Sequence, residues 1–168
     1  MIENQARPLR IFVTVGAQMP FDRLVMGVDA WASGREHCEL FAQVGPGGAV
    51  PVSFPAVEFL EPSAFRSRIE WCDTLVAHAG MGSILTALQY GKHILVMPRR
   101  GDLRETRNDH QVASAHRFGE MPAIDVALTS EALPGRLDAL GIPQGVKRIE
   151  DHASSRLLGA VSQFISHG

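Results

Sequence analysis

Four short apolar runs punctuate the first hundred residues, each with a glycine or proline at its end. They are "RIFVTVGA" (10–17), "CELFAQVG" (38–45), "TLVAHAG" (74–80) and "HILVMP" (93–98). Runs this continuous suit strands buried on both faces, as in a parallel sheet, rather than strands with one wet face. Segments of helical period lie between them: "FDRLVMGVDAWA", "PSAFRSRIEWC" and "GSILTALQYG". In the first, Leu24, Val25, Val28 and Trp31 recur at helical spacing; the second opens on proline and the third ends at Gly91. Strands separated by helices of about ten residues predict βαβ units. The expected fold is therefore α/β, a doubly wound, Rossmann-like parallel sheet with flanking helices.

Weaker signals bring the expected count to about six strands. "PVSFPAVEFL" (51–60) carries an interior Pro55, which weakens it as a strand. "NDHQVASAHRF" reads as a helix, "MPAIDV" as a short sixth strand, and "SEALPGRLDAL" as a helix with Pro134 near its first turn. In "SSRLLGAVSQFIS", Leu157, Leu158, Val161, Phe164 and Ile165 form one apolar face, predicting an amphipathic helix at about 153–166. The one long polar connection is "RRGDLRETRND" (99–109), and long loops in compact α/β domains often carry function.

At 168 residues the chain suits a single domain, 1–168, without an obvious linker or internal repeat. A formal net charge of -2 implies no general polyanion-binding surface, which argues against nucleic acid as a partner. Cys38 and Cys72 fit no metal or redox spacing and read as core thiols of a reducing cytosol. The start "MIENQARPLR" lacks the apolar region of a secretory signal, and no run reaches the roughly 18 apolar residues of a membrane span. A cytoplasmic location is expected, with any membrane contact made through a partner.

The stretch "HAGMGSILTALQYG" after "DTLVA" raises the functional question. In a doubly wound sheet, ligands bind beyond the carboxyl ends of the strands, where His78 and Gly80 are expected. The first N–H groups of a helix lack internal partners and its dipole is positive there, so a phosphate would satisfy both. Gly82 would let the backbone approach, and Ser83 would add a hydroxyl donor. A plain turn with Ser83 as helix cap explains the same residues equally well. The stretch is neither a dinucleotide fingerprint, because position 85 is leucine, nor a Walker loop, because no Gly-Lys-Ser/Thr follows.

Two blocks carry a resemblance. "HAGMGSILTALQYGKHILVMPRR" followed by "NDHQVASA" resembles the donor-binding C-terminal half of GT-B glycosyltransferases of family 28. "IFVTVGAQMPFDRLV" is similar to the first strand and helix of that family's small, separately encoded subunits, the Alg13-like and PssE-like ones. The resemblance covers about residues 10 to 118 and implies a nucleoside-diphosphate-sugar donor, most often a UDP-sugar. It places His78, Gly80, Met81, Gly82 and Ser83 at the diphosphate, with Gly16, Ala17 and Gln18 lining the cleft. It places Asp109, His110 and Gln111 near the sugar and phosphates. Many relatives hold the ribose with a glutamate three residues after the serine; here that position is Thr86.

A complete enzyme of this kind has two such halves. The resemblance therefore implies an Alg14-like or PssD-like membrane-associated subunit that binds a lipid-linked acceptor and supplies the general base. It implies inverting sugar transfer, as in exopolysaccharide synthesis, without a metal or other cofactor. Arg99, Arg100, Arg104 and Arg107 form a basic cluster in which a guanidinium could clamp a diphosphate, although a solvated loop is the default for such charges. Asp102, Glu105, Asp109 and Asp125 make no convincing metal or acid–base pair. A non-catalytic nucleotide-binding module would use the same seat, and the apolar Met19, Pro20 and Phe21 could instead bury against a second copy of the chain.

Overall fold

The computed structural model describes residues 7–142. The elements in chain order are β1 (Leu9–Thr14), α1 (Asp22–Ala32), β2 (Cys38–Gln43), β3 (Ala56–Val57), α2 (Pro62–Trp71), β4 (Thr74–His78), α3 (Met81–Gln89), β5 (His93–Met97), α4 (His110–Phe118), β6 (Ile124–Val126) and α5 (Leu133–Asp138). The six strands form one parallel sheet in the order β3-β2-β1-β4-β5-β6. This is the doubly wound order, whose direction reverses between β1 and β4.

Alternate strand residues serve the two faces, which is why the runs are apolar throughout. Ile11 and Val13 of β1, Val76 of β4 and Leu95 of β5 pack with Leu24, Val25 and Val28 of α1 and Leu133 and Leu137 of α5. Phe12, Leu75, Ala77, Ile94 and Val96 point the other way, onto Ile69 of α2, Ile84, Ala87 and Leu88 of α3, and Ala115 and Phe118 of α4. Phe12 stacks edge-on against Phe65 with ring centres 5.4 Å apart. Of the two cysteines, Cys72 is fully buried, with its thiol pushed up to about 12 by burial. Cys38 is half-buried, and both are free thiols.

The stretch 51–60 differs most from expectation. Only Ala56 and Val57 pair with β2, and Val52 is 91% exposed. Pro51 and Pro55 have no N–H to donate to a ladder. The preceding loop is held instead by Asp29 of α1, which accepts from the Val52 and Ser53 N–H groups at 2.7–3.1 Å. The helix α3 begins at Met81, one residue earlier than the glycine–serine pair suggests. The expected helix at about 153–166 lies outside the described residues. Among the described residues, no helix is long and apolar enough to cross a membrane.

Candidate functional site

The carboxyl ends of β1 and β4 stand side by side, with Thr14 paired to Ala77. Beyond them opens a cleft of about 810 Å³. Its wall comes from Gly16, Ala17, Gln18 and Met19 after β1, from His78 at the end of β4, and from Gly82, Ser83 and Thr86 of α3. Gln111 of α4 closes one side. The size suits a ligand of nucleotide dimensions.

Helix α3 points its first turn into this cleft. The N-cap is Gly80, in extended conformation, and no side chain caps the helix. The N–H of Ile84 is the first to find a helical partner, the Gly80 carbonyl at 3.2 Å. The N–H groups of Met81, Gly82 and Ser83 therefore have no acceptor within the helix. Ser83 does not cap: it lies inside the first turn, with its Oγ 3.4 Å from His78 Nε2. The capping explanation of the serine thus falls away.

His78 is held on both sides. Its Nδ1 lies 3.3 Å from the side-chain amide nitrogen of Gln111. Gly16, at φ +81°, faces Nε2, and a β-carbon there would stand 3.1 Å from that atom. Burial, reinforced by the nearby Arg99 cation, pushes the imidazole down to about 4. In the ligand-free chain this favours the neutral ring at pH 7, which can serve an anion as an N–H donor.

Several expected residues stand elsewhere. Asp109 and His110 do not line the cleft. The Asp109 carboxylate turns back to accept from the Gly101 N–H at 2.9 Å, and His110 is exposed. Gly80 touches the cleft only through the ring it supports, and the Met81 side chain packs into the core against the α3 face of the sheet. Thr86 does line the cleft, and its hydroxyl donates to the Gly82 carbonyl at 2.7 Å.

Arg99 departs from the solvated cluster in which its sequence context placed it. It is 5% exposed, and its guanidinium donates to the carbonyls of Pro20, Val15 and Met19 at 2.7, 3.0 and 2.8 Å. Three of its N–H donors hold the loop after β1, and the side chain also lines the cleft. Arg100 pairs with Asp102 at 2.8 Å in solvent, and Arg104 and Arg107 are exposed. Nor is Phe21 available to a second copy of the chain: it is 2% exposed, beneath the Arg99 guanidinium at 4.8 Å.

The cleft also contains residues that sequence reasoning missed. Gln43, at the end of β2, is 3% exposed; its amide donates to the Gly16 carbonyl at 3.0 Å, and its Oε1 has no partner. A ligand N–H or O–H would satisfy that oxygen. Phe59 and Arg66 reach the rim from the loop before α2 and from α2 itself. Glu105 fixes the 99–109 loop: its carboxylate is gripped by Arg23 at 2.6 and 2.9 Å and accepts from the Arg100 N–H. Position at the carboxyl end of a strand could have flagged Gln43; nothing local flags Phe59, Arg66 or Glu105.

With this geometry in place, likeness to known proteins decides the family. The model of the glycosyltransferase family 28 C-terminal domain matches residues 10–148. The chain belongs to that family. Two curated relatives are the human and mouse UDP-N-acetylglucosamine transferase subunit ALG13. They are 30% identical over 124 residues and 32% identical over 127 residues, covering 66% and 67% of this chain. The chain spans 10% of the length of either relative. Among solved structures, that of ALG13 superposes with a TM-score of 0.61 at 20% identity, covering 90% of this chain and 96% of that one. MurG of Acinetobacter baumannii gives 0.60 at 18% identity, covering 81% and 42%. At these identities the likeness establishes a common fold, and the family 28 domain is Rossmann-like, as the strand order requires.

Proposed function

We propose that this family 28 domain is the donor-binding subunit of a two-component inverting glycosyltransferase. It would hold a UDP-sugar while the sugar passes to a lipid-linked acceptor in polysaccharide or glycolipid synthesis. The observation that carries the reading is the uncapped N-terminus of α3, opening beside neutral His78 at the point where the sheet reverses. Three N–H groups without helical acceptors, the Ser83 hydroxyl and the His78 ring lie together at the first turn of α3. The ALG13 relatives, by their name, are subunits of a UDP-N-acetylglucosamine transferase.

In this reading an acceptor hydroxyl attacks the anomeric carbon. The bond from that carbon to the diphosphate oxygen breaks, and UDP leaves with the electron pair. The positive end of α3 and the Ser83 hydroxyl would stabilise the charge growing on the leaving phosphate. That role needs no metal. The acceptor's proton goes to a base on a second, membrane-associated subunit of Alg14-like or PssD-like character. The proposal places this chain in the cytoplasm, at the inner face of the membrane, through that subunit.

A second reading, a nucleotide-binding module without transferase activity, draws support from Thr86. Its hydroxyl hydrogen is committed to Gly82, so only a lone oxygen remains for a ribose. Calorimetric titration with UDP tests the shared seat, with Ser83→Ala expected to weaken binding by about 1–2 kcal/mol, a lost hydrogen bond to a charged group. Transfer assays with and without a co-expressed acceptor subunit separate the two readings. Robust transfer by the chain alone would overturn the two-component proposal.

A further inference from the structure

Resting on the phosphate-seat reading, we infer that Gln111 is a positioning residue, which fixes the proton of His78 on Nε2 and so aims an N–H donor at the bound phosphate. The Arg99 backbone N–H donates to Gln111 Oε1 at 3.0 Å. A backbone N–H can only donate, so the oxygen end of the amide must face it. The NH₂ end is thereby turned to His78 Nδ1, at 3.3 Å. An amide NH₂ is also only a donor, so Nδ1 must accept and cannot carry the proton of the neutral ring. The proton then sits on Nε2.

Nε2 faces the cleft, beside Gly16 and 3.4 Å from Ser83 Oγ. That distance lies at the far edge of a hydrogen bond. The N–H is thus only loosely engaged and free to turn to a phosphate oxygen at the first turn of α3. The ring occupies the space that a side chain at Gly16 or Gly80 would need. The opposite tautomer would present a lone pair to an anion and repel it. One hydrogen of the Gln111 amide and its oxygen are engaged within the protein, so this residue can act on the phosphate through His78.

The test uses the full chain labelled with nitrogen-15. Long-range imidazole spectra at pH 7 are expected to place the His78 proton on Nε2. In Gln111→Glu the carboxylate still accepts from the Arg99 N–H, but it offers an acceptor to Nδ1. The proton should move to Nδ1, and UDP affinity should fall about tenfold at constant fold. A residue with a merely structural role would shift stability and leave the tautomer unmoved. A proton on Nδ1 in the wild-type chain overturns the inference, and this readout stands even where the variant fails to fold. Unchanged UDP affinity beside a moved proton also overturns it. The predicted wild-type tautomer without any UDP binding would uphold the Gln111 arrangement and overturn the phosphate seat.

Discussion

Gly16 and His78 meet across the reversal point of the sheet, the first in left-handed conformation at φ +81° and the second presenting Nε2 to it. Glycine is required there twice, by its backbone angle and by the 3.1 Å left for a β-carbon. Gly16→Ala should lower stability by about 1–2 kcal/mol, the cost of a left-handed L-residue. If His78 donates to a phosphate as proposed, the substitution should also abolish measurable UDP binding, because the methyl group crowds Nε2. Urea denaturation and calorimetry on the same preparation separate the two effects.

Arg99→Met should be among the most destabilising single changes in the chain, costing about 3–5 kcal/mol. It orphans the carbonyls of Val15, Met19 and Pro20 and leaves Phe21 without its covering guanidinium. Arg99→Lys should recover little, since a single ammonium cannot reproduce a planar fork. Chemical denaturation midpoints check both; a lysine variant as stable as wild type would contradict the assignment.

His78 gives the fold a pH dependence of definite sign. Its folded value, about 4, lies below the ordinary 6.5, so between these limits the unfolded chain binds more protons than the folded one. Stability from this group is complete above pH 6.5 and is lost as the pH falls towards 4. The full effect is at most about 3 kcal/mol. Comparing wild type with His78→Gln by urea denaturation at pH 7 and pH 5 should show a smaller loss on acidification in the variant.

Arg66 is exposed at the rim of the cleft, and among the described residues it has no ion-pair partner. Arg66→Ala should leave stability within about 0.5 kcal/mol. If the cleft takes a diphosphate, UDP binding should weaken severalfold, and the difference should shrink as salt is raised. Titrations at low and high ionic strength measure this directly.

The strands β1, β2, β4 and β5 were legible because each is buried on both faces and must read as an unbroken apolar run. The edge strand β3 was legible only as a weak candidate: Pro51 and Pro55 precede its two paired residues, and exposed Val52 mimics a core position. The same division holds at the site. His78, Gly82 and Ser83 fall within six residues, so a local motif could locate them. Gln111 and His110 are neighbours in sequence yet about 100° apart around α4, and only packing decides which one meets the cleft. Arg99 reads as one charge in a basic cluster, because its partners are backbone carbonyls, which leave no signature in side-chain identity. Gln43 and Arg66 join the cleft through strand order and helix placement, which no short stretch of sequence encodes.

Arg99 lies just beyond β5, yet it grips the loop after β1, with β4 between them in the sheet. The reach across β4 fastens together two walls that would otherwise move separately, and the Arg23–Glu105 pair fastens the outer loop to α1. On the proposed donor-binding reading, the seat is braced from two directions before a nucleotide arrives. Its ligand need not wait for a loop to fold around it, so encounter should proceed without a slow closing step. Substitutions within the seat should then register as shortened residence of the nucleotide, with little change in how fast it is captured.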